Sequence, residues 1–296
     1  MKEKRFVDRT AGGTLAAFLA YGIWGIFPFY WKQLKAVDAL QILGHRFIWA
    51  AAFCVVVLAL SGRLSMLGAV FANRRQTGRM MLAAFLICVN WGVYIMAVNT
   101  GRVTESALGY YINPLFSVAL GVLFAGEKLD AGTGISMLVA TLGIVGAAVV
   151  YGSIPWTSLI LASSFGFYGL LKKKAGLEPM VSLAIETLLV SPFALAYLLY
   201  RQTMPNPAFI SAGSRVTILL VLAGLVTAIP LLLFAKAANS IPLQRMGFIQ
   251  YLSPTLQLAI GILAFGEKPG KPLLVTLVSV VAAVAIYVFS RKHSRG

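Results

Sequence analysis

The sequence predicts an all-α polytopic membrane protein of ten transmembrane helices, arranged as two inverted five-helix repeats. Three observations carry that prediction. Of 296 residues, 59% are apolar and 11% charged, and the mean hydropathy is +0.85. Apolar runs long enough to cross a bilayer recur along the whole chain, which the core of a soluble domain has no room for. Finally, a shift of 140 positions places Tyr111, Pro114, Gly121, Gly126, Glu127 and Lys128 on Tyr251, Pro254, Gly261, Gly266, Glu267 and Lys268 without a gap. Apolar partners fill the register around these identities: Leu108 on Phe248, Ala119 on Ala259, Leu120 on Ile260. The chain repeats itself once.

Taken in order, the first span is expected at 13–31. The basic stretch Met1 to Arg9 ahead of it mimics a secretory signal. The apolar segment from Ala11 to Trp31 holds Pro28, however, and shows no small-residue cleavage pattern before the next charge, so it reads as a retained span. About 20 residues at about 1.5 Å rise cross the hydrocarbon layer. On that measure the first repeat continues with spans at 40–60, 80–98, 106–125 and 133–151. The second has spans at 156–171, 180–200, 216–235, 246–265 and 272–290. The longest linkers are Ser61–Arg79 and Arg201–Arg215, the latter carrying Pro205 and Pro207. The organisation is therefore a tail at 1–12, one repeat at 13–151, a second at 152–290 and a tail at 291–296.

The net charge of +16 would suit a nucleic-acid binder. Here the basic residues sit between hydrophobic runs, so no nucleic-acid partner is expected, and the bilayer is the partner that the composition implies. On the side of the N-terminus lie 17 Lys and Arg: Lys2, Lys4, Arg5 and Arg9, the group Arg63, Arg74, Arg75 and Arg79, then Lys128, Lys172 to Lys174, Lys236, Arg245, Arg291, Lys292 and Arg295. The opposite side has seven: Lys32, Lys35, Arg102, Arg201, Arg215, Lys268 and Lys271. The positive-inside rule places both termini in the cytoplasm. Ten spans also require both ends on one side. Five spans per repeat is an odd number, so the two repeats insert in opposite senses. Such symmetry supplies two nearly equal conformations open to opposite sides, the physical basis of alternating access.

With the segments placed, several local patterns become informative as a set: Tyr21-Gly-Ile-Trp-Gly-Ile-Phe-Pro, Gly44-His-Arg-Phe-Ile-Trp, Asn90-Trp, Ala97-Val-Asn, Glu105-Ser-Ala-Leu-Gly-Tyr-Tyr-Ile-Asn-Pro114, Ile185-Glu-Thr, Gln250-Tyr and the two Gly-Glu-Lys turns. In these the chain resembles, over nearly its whole length, the EamA-type carriers of the drug/metabolite transporter superfamily, and within them the RarD subfamily. The resemblance implies ten helices in two inverted halves, a bacterial inner-membrane location, and export or exchange of small organic solutes such as metabolites, amino-acid-like compounds or drugs. It fixes no substrate. The motif residues Asn113, Gln250 and Tyr251 join the candidates for substrate binding on this ground.

Arg46 is the sharpest signal in the residues themselves. The apolar run between it and Arg63 is too short to span, so the second helix must include His45 and Arg46. That sets Arg46 about six residues, or about 9 Å, inside the membrane face. A charge there is costly unless it meets a polar cavity or a partner, or snorkels to the surface. Its planar fork of donors suits a substrate carboxylate or phosphate. Glu186, 140 positions on, is the matching case in the seventh span. It could bind an amine, take up a proton, or bond a neighbouring helix. Because the repeats are inverted, the two charges are expected at different depths, without a direct salt bridge. Proton coupling through Glu186 is an open hypothesis.

Asn90 and Pro230 also correspond at this offset. A buried amide demands partners and a proline removes a helix hydrogen bond, so Pro230 is a candidate hinge, while Asn90 is either part of a site or interhelical glue. Aromatic residues cluster at Trp24, Phe27, Tyr30, Trp91, Tyr94, Tyr110 and Tyr111, joined by Tyr168 and Tyr251. Tyr30, Trp31 and Trp156, near span ends, read as interfacial anchors. Trp24, Trp91, Tyr110 and Tyr111 sit deeper, where they are either packing or the wall of a pocket. The Gly-Glu-Lys turns read as helix ends, glycine terminating and lysine favouring the negative C-terminal end.

An intramembrane enzyme is the competing class. The acids, including Asp8, Asp38, Glu105, Glu127, Asp130 and Glu178, are scattered, and no paired-acid or His-Glu metal motif occurs. His45 and His293 lie far apart, and Cys54 and Cys88 fall inside apolar runs without redox or ligand spacing. No metal, cofactor or catalytic residue is therefore expected. A receptor or assembly factor would be expected to add an output domain, for which these spans leave no room. No Walker A sequence is present, so direct ATP drive is not expected. A small organic substrate is. Oligomeric state is not legible.

Overall fold

The computed structural model describes residues 2–99, 103–152, 156–205, 207–266, 268 and 270–293. Its regular elements are all helices: α1 (Lys2–Lys32), α2 (Ala39–Leu60), α3 (Ser65–Ala72), α4 (Arg74–Asn99), α5 (Val103–Ala125), α6 (Ala131–Tyr151), α7 (Trp156–Ala175), α8 (Pro179–Gln202), α9 (Ser214–Ala238), α10 (Leu243–Gln250), α11 (Leu252–Phe265) and α12 (Lys271–His293). Among the described residues, eight segments are long and apolar enough to cross a membrane, with α10 and α11 counted as one at Leu243–Phe265. α4 and α7, of 26 and 20 residues, complete the ten span-length segments. Large apolar side chains face outward, Leu263 at 86% exposure and Phe193 at 77%, as helices solvated by lipid require.

Local chemistry sets the helix ends. Asp38 caps α2 by accepting from the Leu40 and Gln41 amides, and Glu178 caps α8 by accepting from the Val181 amide. These two acids stand 140 positions apart, so the repeats share a cap as well as a sequence. Gly126 and Gly266 follow α5 and α11 with φ of +68° and +69°, a left-handed turn that glycine adopts without strain. Two expectations need correction. The Ser61–Arg79 linker holds α3, and α4 already begins at Arg74. The ninth span is interrupted at Tyr251, three residues before Pro254, although the equivalent Pro114 lies inside an unbroken α5. α9 by contrast runs through Pro230 without interruption.

The chain divides into two compact units that do not follow the order of the sequence. The first contains Met1–Leu86 and Leu171–Ser240, the second Ile87–Leu170 and Ile241–Gly296. Each draws helices from both repeats. α4 and α7 belong partly to each, with boundaries at Leu86–Ile87 and Leu170–Leu171.

In the first unit α2 lies against α8 in the opposite sense. The Asp38 carboxylate, at the start of α2, accepts from the Tyr197 hydroxyl at 3.1 Å, near the end of α8. Arg63, just past the end of α2, pairs with Glu178 at the start of α8, 3.0 Å apart. α9 crosses both α1 and α2, and Gly224 meets the backbone of Trp49 and Ala50 with no room for a Cβ.

In the second unit α5 opposes α10, with Gly247 against the Pro114 carbonyl. α6 opposes α12, where Gly132 faces Ser290 and Gly143 faces Ser279. α2 and α8, α5 and α10, and α6 and α12 are equivalent elements of the two repeats. Each pair packs antiparallel, which is the signature of an inverted duplication.

Candidate functional site

The candidate residues fall into two sets, one in each compact unit. In the first unit, α2 presents Gln41, His45, Arg46 and Trp49 along its opening turns. Arg46 is half-buried. Its Nε donates to the Thr227 hydroxyl of α9 at 2.9 Å, and its guanidinium carbon lies 5.0 Å from the centre of the Trp31 ring at the end of α1. A cation over an indole face is favourable, the more so away from water. Three helices therefore fix the plane and direction of this donor fork. Tyr30 and Trp31, expected as interfacial anchors, also make contacts within this unit. The Tyr30 hydroxyl donates to the Leu219 carbonyl at 2.5 Å, and the Trp31 ring stands edge-on to Phe27 and Tyr30. Trp156 is exposed.

His45 is buried. Its Nδ1 accepts from the Trp49 indole N–H at 3.2 Å, which leaves the proton of the neutral ring on Nε2. Nε2 is buried with no hydrogen-bond partner among the described residues. The ring packs 4.8 Å from that of Phe209, which comes from the segment between α8 and α9. That segment is held to α2 by the Ala208 amide, which donates to the Gln41 side chain at 3.1 Å. Trp24 lies deeper, within 5.3 Å of the Tyr21 ring and 5.9 Å of the Phe234 ring. Pro230 is buried in α9, one turn beyond Thr227.

Glu186 of α8 is also in this unit. Its carboxylate accepts from the Lys172 ammonium at 2.8 Å, and both side chains are only 2% exposed. Lys172 donates to the Ser182 hydroxyl as well, at 2.7 Å, and that hydroxyl reaches the Met80 sulfur at 3.4 Å. A count of basic residues by side treats Lys172, Lys173 and Lys174 alike, but the helix turns them about 100° apart, and Lys172 is buried against α8. Neighbouring this pair, Arg79 donates to the Lys174 carbonyl at 3.1 Å.

The second unit gathers the other candidates. Asn90 is buried and donates to the Leu161 carbonyl at 2.8 Å and the Ser164 hydroxyl at 3.0 Å, joining α4 to α7. Tyr94 packs on Tyr110 at 5.8 Å, while Trp91 is half-buried. Tyr111 and Tyr251, equivalent in the two repeats, face each other at 6.4 Å. The Ser117 hydroxyl donates to the Gln250 side-chain oxygen at 3.4 Å. The Asn113 side-chain oxygen and the Tyr251 hydroxyl are buried with no partner among the described residues. They sit beside the interruption between α10 and α11. Glu127 does more than its sequence reading allowed. Its carboxylate accepts from the Leu243 and Gln244 amides at 2.6 and 2.9 Å, capping α10 from the end of α5. The Glu105 side chain lies outside the described residues, and so does Glu267, the counterpart of Glu127 in the second Gly-Glu-Lys turn.

Thr227, Lys172, Phe209, Ser164 and Trp49 escaped the sequence reading. The 140-residue register was the available signal for Lys172, which falls on Lys32, and the four-residue spacing was the signal for Trp49 beside His45.

Against known proteins, the model of the EamA-like transporter family matches residues 11–149 and again 154–289. The chain is 40% identical over 285 residues to the uncharacterized transporter YojE of Bacillus subtilis, covering 95% of each chain. It is 41% identical over 255 residues to protein RarD of Streptomyces exfoliatus, covering 86% of this chain and 81% of that one. With protein RarD of Escherichia coli K12 it shares 37% over 287 residues and 97% of each. A solved crystal structure superposes with a TM-score of 0.73 at 15% identity, over 97% of this chain and 99% of the other, which bears on the fold. A helical membrane fold, a doubled family match and relatives of this closeness lead to one statement: the chain belongs to the EamA-like transporter family, among its RarD-type members, and is a multi-pass membrane transporter.

Proposed function

We propose that the protein is a secondary carrier of small organic solutes, exporting or exchanging them across the bacterial inner membrane by alternating access. The observation that carries this reading is the antiparallel packing of equivalent helices, α2 with α8, α5 with α10 and α6 with α12. A scaffold duplicated and inverted in this way has two conformations related by exchange of the repeats, each open to one side. Arg46 is the principal solute contact, oriented by Thr227 and Trp31, with His45 and Trp24 in the same unit. Asn113, Tyr110, Tyr111, Gln250 and Tyr251, with Asn90 and Trp91, form the polar and aromatic set of the second unit. Both termini face the cytoplasm, following the basic residues.

Purified protein in proteoliposomes, tested against a panel of metabolites and drugs, checks the reading. Saturable flux of at least one solute, reduced at least tenfold by Arg46→Ala, is the expected result. Labelling that places the two termini on different faces would remove the ten-span topology. Proton coupling is tested in the same vesicles: if Glu186→Gln transports with unchanged pH dependence, Glu186 carries no coupled proton.

A further inference from the structure

The segment between α8 and α9 folds back over the start of α2, wholly inside the first compact unit. The Ala208 amide donates to the Gln41 side chain at 3.1 Å, and the Phe209 ring lies 4.8 Å from the His45 ring and 6.2 Å from that of Trp49. Two features of this closed arrangement are costly. His45 is 5% exposed, and with Nδ1 accepting from Trp49 its Nε2–H is a buried donor without a hydrogen-bond partner among the described residues. Ile210, the residue after Phe209, has a φ of +66°, a left-handed backbone that β-branched side chains rarely adopt. Its side chain is 72% exposed, so burial does little to offset that strain. The fastenings are few and exposed: the Gln202 side chain donates to the Phe209 carbonyl at 3.3 Å, and the Ile210 amide to the Thr217 hydroxyl at 3.0 Å. Phe209 itself is half-buried.

We propose that residues 207–213 form a lid, that Phe209 holds the place of a flat aromatic group of the solute, and that the His45 Nε2–H binds an acceptor oxygen on that group once the lid lifts. The proposal rests on the carrier reading above, on whose topology this segment lies at the outer face. Lifting Phe209 uncovers the imidazole, so its donor meets water or a solute, and frees Ile210 to return to an ordinary backbone. Both costs fall when the lid opens, which keeps the open form within reach of a ligand that prefers it. The Trp49 bond fixes the tautomer of His45, so the donor stands ready before a ligand arrives. With Nδ1 engaged, the neutral ring offers only a donor, which suits a carbonyl, carboxylate or ether oxygen and not an amine. The rings of His45 and Trp49, which now hold Phe209, favour a planar apolar body in its place.

Acetophenone and α-methylstyrene, alike in shape but with and without the acceptor oxygen, test this on the purified full-length protein. Binding is read by the shift in unfolding temperature against concentration. In Phe209→Ala, which opens the place of the ring, acetophenone is expected to bind about tenfold more tightly than in the natural protein, and about tenfold more tightly than α-methylstyrene. Phe209→Leu, which thins the plug and keeps an apolar contact, carries the same comparison if Phe209→Ala does not fold. Adding His45→Asn keeps an acceptor for Trp49 but removes the Nε2 donor, and should erase the preference between the probes. His45→Gln, whose amide N–H reaches the Nε2 position, should restore part of it. Ile210→Gly relieves the strain with the lid shut, and should weaken acetophenone binding about fivefold while Phe209 is in place. Equal binding of the two probes, a preference that survives His45→Asn, or an unchanged affinity in Phe209→Ala or Ile210→Gly overturns the assignment. So does displacement of acetophenone by phosphatidylglycerol alone, since the acceptor would then be a lipid ester. Flux in proteoliposomes separates the lid from the carrier reading. Saturable transport indifferent to both Phe209→Ala and His45→Asn would sink the lid and leave the carrier intact. His45-dependent acetophenone binding with no flux of any solute would do the reverse.

Discussion

The Lys172–Glu186 pair offers the most decisive test of the structure. Both side chains are 2% exposed, 2.8 Å apart, and the ammonium has Ser182 as a further acceptor at 2.7 Å. Removing one charge strands the other in a site without water to solvate it. Glu186→Gln removes the acid facing the ammonium, and Lys172→Met removes the ammonium facing the acid; each is expected to cost about 3–5 kcal/mol. Replacing both with apolar residues of similar volume removes the desolvation along with the attraction. The double variant Lys172→Met/Glu186→Met should therefore lie within about 1–2 kcal/mol of the natural protein, or above it. The double-mutant cycle then gives a coupling of several kcal/mol, well beyond the few tenths expected of independent sites. Reversible unfolding in mixed micelles titrated with sodium dodecyl sulfate, followed by tryptophan fluorescence, measures all four corners. A loss below about 1 kcal/mol for Glu186→Gln, the scale of a solvated surface pair, would refute the burial argument. A double variant as unstable as the sum of the singles would refute the pairing.

Three further outcomes are expected in the same unfolding assay. Glu127→Ala removes the acceptor of the Leu243 and Gln244 amides and should cost about 0.5–2 kcal/mol, while Glu127→Asp retains part of the cap. Gly224→Ala drives a methyl into the backbone of Trp49 and Ala50 and should cost about 1–3 kcal/mol, whereas Gly146→Ala, whose nearest neighbour is 3.9 Å away, should be neutral or mildly stabilising. Asn90→Leu breaks two interhelical bonds to α7 and should cost about 0.6–1.7 kcal/mol, the range for such bonds in membrane helices; no loss would mean that α4 is held by packing alone.

Span-length helices are legible in sequence because hydrocarbon imposes a length and a composition on each one separately. The caps at Asp38 and Glu178 and the left-handed glycines at Gly126 and Gly266 are legible for a similar reason, being local chemistry repeated at a fixed offset. What no local rule reveals is which helices meet. The two compact units each combine helices from both halves, and a hydropathy profile carries no information about partner choice between equally apolar rods. The fate of Lys172 depended on Glu186, fourteen residues along, and on which side of α7 each of three lysines points. Phe209 belongs to a segment that reads as a loop, yet its ring rests on His45 and Trp49 because the Ala208 amide finds the Gln41 side chain.

The duplication also separates scaffold from chemistry within a single sequence. Positions that cap helices or end them are the same in both halves: acid at 38 and 178, glycine at 126 and 266. Two copies of one backbone need the same joints. Elsewhere the copies disagree. α5 runs unbroken through Pro114, whereas its counterpart is interrupted before Pro254, and Arg46 faces Thr227 and Trp31 where its counterpart Glu186 faces a lysine. An inverted repeat of perfect symmetry would present identical sites to the two sides of the membrane. On the carrier reading proposed above, sites that differ between the halves let the two open conformations hold one solute with different strength, and that difference in affinity is what a ligand needs to shift a two-state equilibrium.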